Sequence, residues 1–191
     1  AGVIVALGGD GTCRDIAKGW SNAPLIAIST GTNNVYPAPI DGTSAGTAAA
    51  LVAGGIVQLE SVATPSKRVV ITGTDASNGV SFEDLALVEV ALVAGDFVGA
   101  RAVSDPLAPG SFTTLGISEV TELTGGHTVV LHGPGILAFD GERDRRIGPT
   151  TVVTATVDRH GPLLIDVEAT LMRAARSGAF EARTLTEVHH G

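Results

Sequence analysis

The chain has 191 residues, 44% of them apolar and 17% charged, with a formal net charge of −8. That length and apolar share suffice for a sizeable core in one large domain or two small ones, and they exclude a disordered chain. The acidic balance, with no run of Lys or Arg, argues against a nucleic-acid partner or an anionic membrane surface. A single cysteine excludes an internal disulfide and suits a reducing compartment. The longest apolar stretch, Leu85 to Ala94, is interrupted by Glu89 and is far too short to span a bilayer. Residues 1–7 carry no basic region of a signal peptide, so a cytoplasmic location is expected.

Val3 to Leu7 reads as a buried strand. It runs into Gly8-Gly9-Asp10-Gly11-Thr12, and a helical pattern starts at Cys13. Strand, glycine turn and helix together present free backbone N–H groups to an anion, and glycines let the backbone approach a phosphate closely. Asp10 is the only charged side chain in the turn. A carboxylate there repels phosphate unless it holds a metal, takes a proton or hydrogen-bonds a hydroxyl, which marks Asp10 for chemistry and as a candidate metal ligand. Thr12 is placed to cap the helix, with Asp15 in a capping-box relation. Cys13, Ile16, Ala17 and Trp20 form one apolar face, with Arg14, Asp15 and Lys18 looking outward. Cys13 reads as a small core residue rather than a reactive thiol.

Leu25 to Ser29 is a second buried strand, ending in the turn Thr30-Gly31-Thr32-Asn33-Asn34. Two consecutive strand ends with such turns form a ligand crevice in an open α/β sheet. Pro37 and Pro39 break the chain, and an Ala-rich helix spans Asp41 to Ala53 before Gly54 and Gly55. Two parallel strands cannot cover a sheet on both faces, so the chain is expected to be a fragment, a processed form or one that docks on another chain.

From Ile56 the apolar period becomes two. Strands are expected at Ile56 to Glu60, Lys67 to Thr72, Leu85 to Ala94, Arg101 to Val103, Thr114 to Glu119, Thr128 to His132, Ile136 to Phe139, Thr150 to Val157 and Leu163 to Val167. Short strands with frequent turn signals imply a β-sandwich or distorted barrel. The fold expected is therefore α/β, a partial Rossmann-like parallel sheet over residues 1–60, followed by an all-β sandwich-type domain over 61–191. Asp140-Gly141 and Arg159-His160-Gly161 read as hairpin turns, Glu168 to Ser177 as a helix stopped by Gly178, and His189 and His190 as a tail.

Glu89 lies in a run apolar on both faces, where a carboxylate needs donors, a cation, a ligand hydroxyl or an Arg partner such as Arg68 or Arg101. Asp140, Glu142 and Asp144 alternate with Arg143, Arg145 and Arg146, which reads as a solvated turn. There is no Walker-type loop, no Gly-x-Gly-x-x-Gly after the first strand, no zinc-like Cys/His spacing and no Gly-x-Ser-x-Gly elbow.

Gly8-Gly9-Asp10-Gly11-Thr12 resembles the signature of the NAD kinase superfamily, which also holds diacylglycerol and sphingosine kinases. Ser29 to Pro37, Ala86 to Val90, Asp96 to Ala102 and Phe139 to Arg143 are similar to the acetoin-catabolism X (AcoX-type) group of the ATP-NAD kinase family. The resemblance implies an ATP-dependent kinase that uses Mg²⁺ and phosphorylates a hydroxyl of NAD or a related small molecule. On that basis Gly8, Gly9, Gly11 and Thr12 bind nucleotide phosphate, and Asp10 and Glu142 are catalytic, with Asp10 also on the metal. Thr32, Asn33, Asn34 and Glu89 contact the substrate, and Arg143 or Arg145 neutralises phosphate. Val88 stands where NAD kinases place the Asn of an Asn-Glu ribose clamp, and their Thr-Pro-Thr-Gly-Ser-Thr-Ala-Tyr dinucleotide segment has no counterpart. The family also implies a homo-oligomer. The alternative is a catalytically inactive nucleotide-binding accessory protein.

Overall fold

The computed structural model describes residues 2–93, 126 and 128–181. The expected strands at Arg101 to Val103 and Thr114 to Glu119, the stretch Asp96 to Ala102 and the tail histidines lie outside the described residues.

The elements run β1 (Ile4–Gly8), α1 (Asp10–Gly19), β2 (Pro24–Ser29), α2 (Gly42–Ala53), a single 3-10 turn (Leu59–Ser61), β3 (Ala63–Pro65), β4 (Arg68–Asp75), β5 (Ser81–Ala86) and β6 (Val90–Val93). After these come β7 (Thr128–His132), β8 (Gly135–Phe139), β9 (Glu142–Ile147), β10 (Thr151–Asp158), β11 (Leu163–Ile165) and α3 (Val167–Arg176). The architecture is mixed α/β with three sheets.

The first sheet has the order β1-β2-β11-β3. β2 pairs parallel with both β1 and β11, and β3 lies antiparallel on β11. The opening layer is therefore not limited to two strands, because the C-terminal stretch returns to supply β11 and α3. β2 is buried along nearly its whole length and serves two cores by alternation. Ile26 and Ile28 face α2 and α3, with Ala45, Ala48, Leu51, Val167 and Ala174. Leu25 and Ala27 face α1, with Cys13, Ala17 and Leu87. β1 is the edge strand, so the expected burial along Val3 to Leu7 is incomplete: only Ala6 is buried, and Leu7 is exposed.

Two further sheets, β5-β4-β10-β7 and β6-β8-β9, share one core around Ile71, Leu137, Phe139 and Val153. Several expectations are corrected here. Ile56 to Glu60 is a loop running into the 3-10 turn, not a strand. The run expected as one strand from Leu85 is split into β5 and β6 by a bend at 87–89. β5 begins at Ser81 and β9 covers the charged run from Glu142; neither sequence has the apolar alternation that would announce a strand of that extent. Arg159-His160-Gly161 is not a hairpin, since β10 and β11 belong to different sheets. Asp140-Gly141 is one: Phe139 pairs with Glu142, and both turn residues have positive φ (51° and 79°).

Candidate functional site

The helix α1 begins inside the glycine motif. Its N-cap is Gly9 and its first residue is Asp10, so Thr12 lies in the first turn and does not cap it. The first helical bond runs from Cys13 N–H to the Gly9 carbonyl (3.2 Å). The N–H groups of Asp10, Gly11 and Thr12 therefore have no acceptor within the helix, and they carry the positive end of its dipole. That is an anion-binding geometry.

The second turn lies against the first. Asp10 Oδ1 accepts from the N–H groups of Val35 (3.1 Å) and Tyr36 (2.8 Å), and Oδ2 accepts from Val35 (3.2 Å). The Asn34 amide donates to Ser29 Oγ at 2.9 Å, and a Cβ built on Gly9 would lie 2.8 Å from Asn34 Oδ1. A side chain at Gly9 would push the Asn34 amide aside. Thr32 and Asn33 are exposed on the same turn.

Glu142 arrives from the far part of the chain. A Cβ on Gly11 would lie 2.7 Å from Glu142 Oε1, so the carboxylate rests on the glycine turn. Gly8, Gly9, Asp10, Gly11, Thr12, Asn34 and Glu142 are thereby gathered at one place. Glu89 is exposed in the 87–89 bend and not enclosed in a strand, because the bend turns it out of the apolar run. Arg68 is bonded bidentately to Asp158 (2.9 and 3.0 Å), away from the expected pairing with Glu89. Arg145 stacks on Phe82 at 4.2 Å, and the Arg143 side chain lies outside what is described.

Two side chains were misjudged from the sequence. Asp140, expected in a solvated turn, is only 8% exposed. Its carboxylate accepts from the backbone N–H groups of Leu87, Val88 and Glu89 at 2.8 to 3.2 Å. Burial pushes its carboxyl above the usual range, against the pull of those N–H groups and of Arg14. Arg14, expected to face solvent, is 4% exposed. Its Nε donates to the Leu85 carbonyl (2.7 Å), its Nη2 pairs with Asp84 (3.0 Å), and its guanidinium lies 4.9 Å from the Phe139 ring centroid. The sequence held one hint: Arg14 and Lys18 are one helical turn apart, and both meet Asp84.

Cys13 is buried beneath the motif. Burial, then the charges of Asp10 and Asp140, push its thiol from 9.0 to about 11. It stays a neutral thiol, as expected of a core residue. Tyr36, hydrogen-bonded to Ser66 (2.8 Å), is raised by burial to about 12.

Residues 103–160 match the family model for the acetoin catabolism protein X C-terminal domain. The chain is also 30% identical over 227 residues to acetoin catabolism protein X of Cupriavidus necator, covering 91% of this chain. The chain is similar to acetoin catabolism protein X. It spans 63% of the length of that relative. Its fold is similar to that of yeast NADH kinase, whose crystal structure holds NADH: the TM-score is 0.59, with 98% of this chain and 69% of the kinase covered at 14% identity. The resemblance read from the glycine motif and the AcoX-type stretches therefore stands, with an NAD kinase-like fold. Among the described residues, no helix is long and apolar enough to cross a membrane.

Proposed function

We propose that the chain is an ATP-dependent kinase of the ATP-NAD kinase/AcoX type, transferring phosphoryl to a hydroxyl of NAD or a related small molecule. One observation carries the reading: the open first turn of α1, the Asp10 carboxylate and the Glu142 carboxylate meet at a single glycine turn. The likeness to acetoin catabolism protein X and to an NADH kinase adds support. The N–H groups of the turn cradle the nucleotide phosphates. The acceptor oxygen attacks the γ-phosphorus, the bond to the β–γ bridging oxygen breaks, ADP leaves, and the acceptor proton passes to a carboxylate, Asp10 or Glu142. Thr32, Asn33 and Glu89 orient the acceptor.

Two carboxylates beside a phosphate cradle repel the ligand unless a cation lies between them, and hard carboxylate oxygens suit Mg²⁺. Among the described residues there is no group of three His, Cys, Asp or Glu able to hold a metal. Asp10 and Glu142 would therefore share the ion with phosphate oxygens and water, and the ion's chemistry is charge neutralisation. The same reading takes the second and third sheets as layers of a sandwich and the protein as a cytoplasmic homo-oligomer.

Isothermal titration with ATP and with NAD, each with and without Mg²⁺, tests the proposal. ATP binding that needs Mg²⁺ and is lost in Asp10→Ala supports it, and NAD binding would identify the acceptor. No ATP binding would overturn it. A second reading, an inactive nucleotide-binding accessory protein, is favoured by Val88 and by the three backbone hydrogen bonds that already occupy Asp10. Phosphorylated product with any acceptor decides against it.

A further inference from the structure

The hairpin turn between β8 and β9 faces two ways. Glu142, at the start of β9, rests on Gly11, while Asp140, at the end of β8, is turned into the 87–89 bend. Asp140 Oδ1 accepts from Leu87, Val88 and Glu89, Oδ2 accepts from Leu87, and the Asp140 N–H donates back to the Glu89 carbonyl at 3.1 Å. Three consecutive N–H groups closed around one carboxylate form an anion nest filled by the protein's own side chain. A second tie runs alongside it, from Arg14 to Leu85 and Phe139. The bend, the hairpin and the glycine-turn helix are thus joined.

A carboxylate buried at this point is costly and directional, and a purely space-filling role needs neither property. We propose that Asp140 is the positioning residue of the site: its hydrogen bonds to the bend set where the Glu142 carboxylate stands against the glycine turn. The claim rests on the phosphate-site reading for its functional consequence, but not for its geometry.

The positive φ of Asp140 makes a clean test available. Asp140→Gly removes the carboxylate without backbone strain, and Asp140→Asn keeps one acceptor oxygen and tolerates the same φ. Two readouts are taken on the full chain: the amide resonance of Gly11 without ligand, and the Kd of MgATP by titration. Asp140→Gly displaces the Gly11 amide and weakens MgATP about tenfold or more, the effect typical of groups that orient a binding residue. Asp140→Asn, which still accepts from Val88 and Glu89, moves the resonance less and stays within about threefold of the parent. If Asp140→Gly only lowers the melting temperature, leaving the Gly11 amide and MgATP affinity unchanged, the role is structural and the proposal is overturned. If the parent itself does not bind MgATP, the phosphate-site reading fails, and the Gly11 resonance alone decides the positioning claim. Should Asp140→Gly not fold, Asp140→Ala, which also lacks the acceptor oxygens, takes its place: a displaced Gly11 amide supports the proposal and an unmoved one overturns it.

Discussion

At the scale of single residues, the charge balance of the glycine turn governs what it can accept. Asp10 carries three hydrogen bonds from the second turn, so its carboxylate both staples the two turns and stands beside the anion cradle. Asp10→Asn would retain an acceptor for Tyr36 and leave the fold intact. If Asp10 takes the acceptor proton, turnover falls by about 10²-fold or more; an unchanged kcat removes it from the mechanism. Glu142 carries the complementary prediction. With its carboxylate against Gly11, the proposed ATP binding should depend on a divalent cation, and Glu142→Gln should bind metal-free ATP more tightly than the parent. Titration in the presence of a chelator reads this directly, and an unaltered affinity would mean that Glu142 does not face the phosphates.

At the scale of elements, α1 connects the two halves of the fold. Its N-terminal turn forms the site, its Cys13–Ala17 stripe lies on β2, and Arg14 crosses to β5. The Arg14–Asp84 pair is almost wholly buried on both sides. Burial opposes ionisation of Asp84, but the Leu85 N–H, Lys18 and Arg14 together hold its carboxyl below the ordinary value. Removing one partner strands a buried charge, so Asp84→Ala should destabilise by about 3 kcal/mol or more. For a chain of this size that lowers the melting temperature by roughly 6–12 °C. A scanning calorimeter measures it, and a change under about 1 kcal/mol would show that solvent reaches the Arg14 guanidinium after substitution. Among the described residues, the Ala-rich α2 has no comparable anchor. It depends on its Asp41 cap, which accepts from the Ser44 N–H, and on close packing between β2 and α3.

At the scale of the whole molecule, alkaline stability follows from the buried Cys13 thiol and the half-buried Tyr36 phenol. Below pH 9 the Cys13 thiol is protonated in the folded and the unfolded chain alike, and its contribution is complete. Its folded value is raised from 9.0 to about 11, so between those limits the unfolded chain sheds the proton first and stability falls. Tyr36, raised from 10.0 to about 12, continues the decline at higher pH. The slope for each group is at most about 1.4 kcal/mol per pH unit. Denaturant unfolding between pH 8 and 11 should show this loss, and Cys13→Ala should flatten the part between pH 9 and 10. A parent profile that is level across that range would mean that Cys13 is hydrated. Oligomeric state belongs to the same scale: a monodisperse monomer in sedimentation would remove the proposed homo-oligomer.

Local chemistry alone determined the strand, glycine turn and helix from Val3 onward, the Asp140-Gly141 hairpin and the last helix. In each, backbone preference and apolar period act over a few residues. Asp10, Gly9 and Gly11 are candidate site residues on the same local ground, since a charged side chain among glycines is visible without a fold. Tertiary structure decided the rest. The first sheet is completed by β11 and α3, more than a hundred residues away, which no local period can announce. Glu142 reaches Gly11, Arg14 turns inward and Asp140 is buried because distant segments supply the acceptors and donors that make a buried charge tolerable. Burial of polar groups depends on partners brought by the fold, whereas turn and helix propensities are properties of the chain itself.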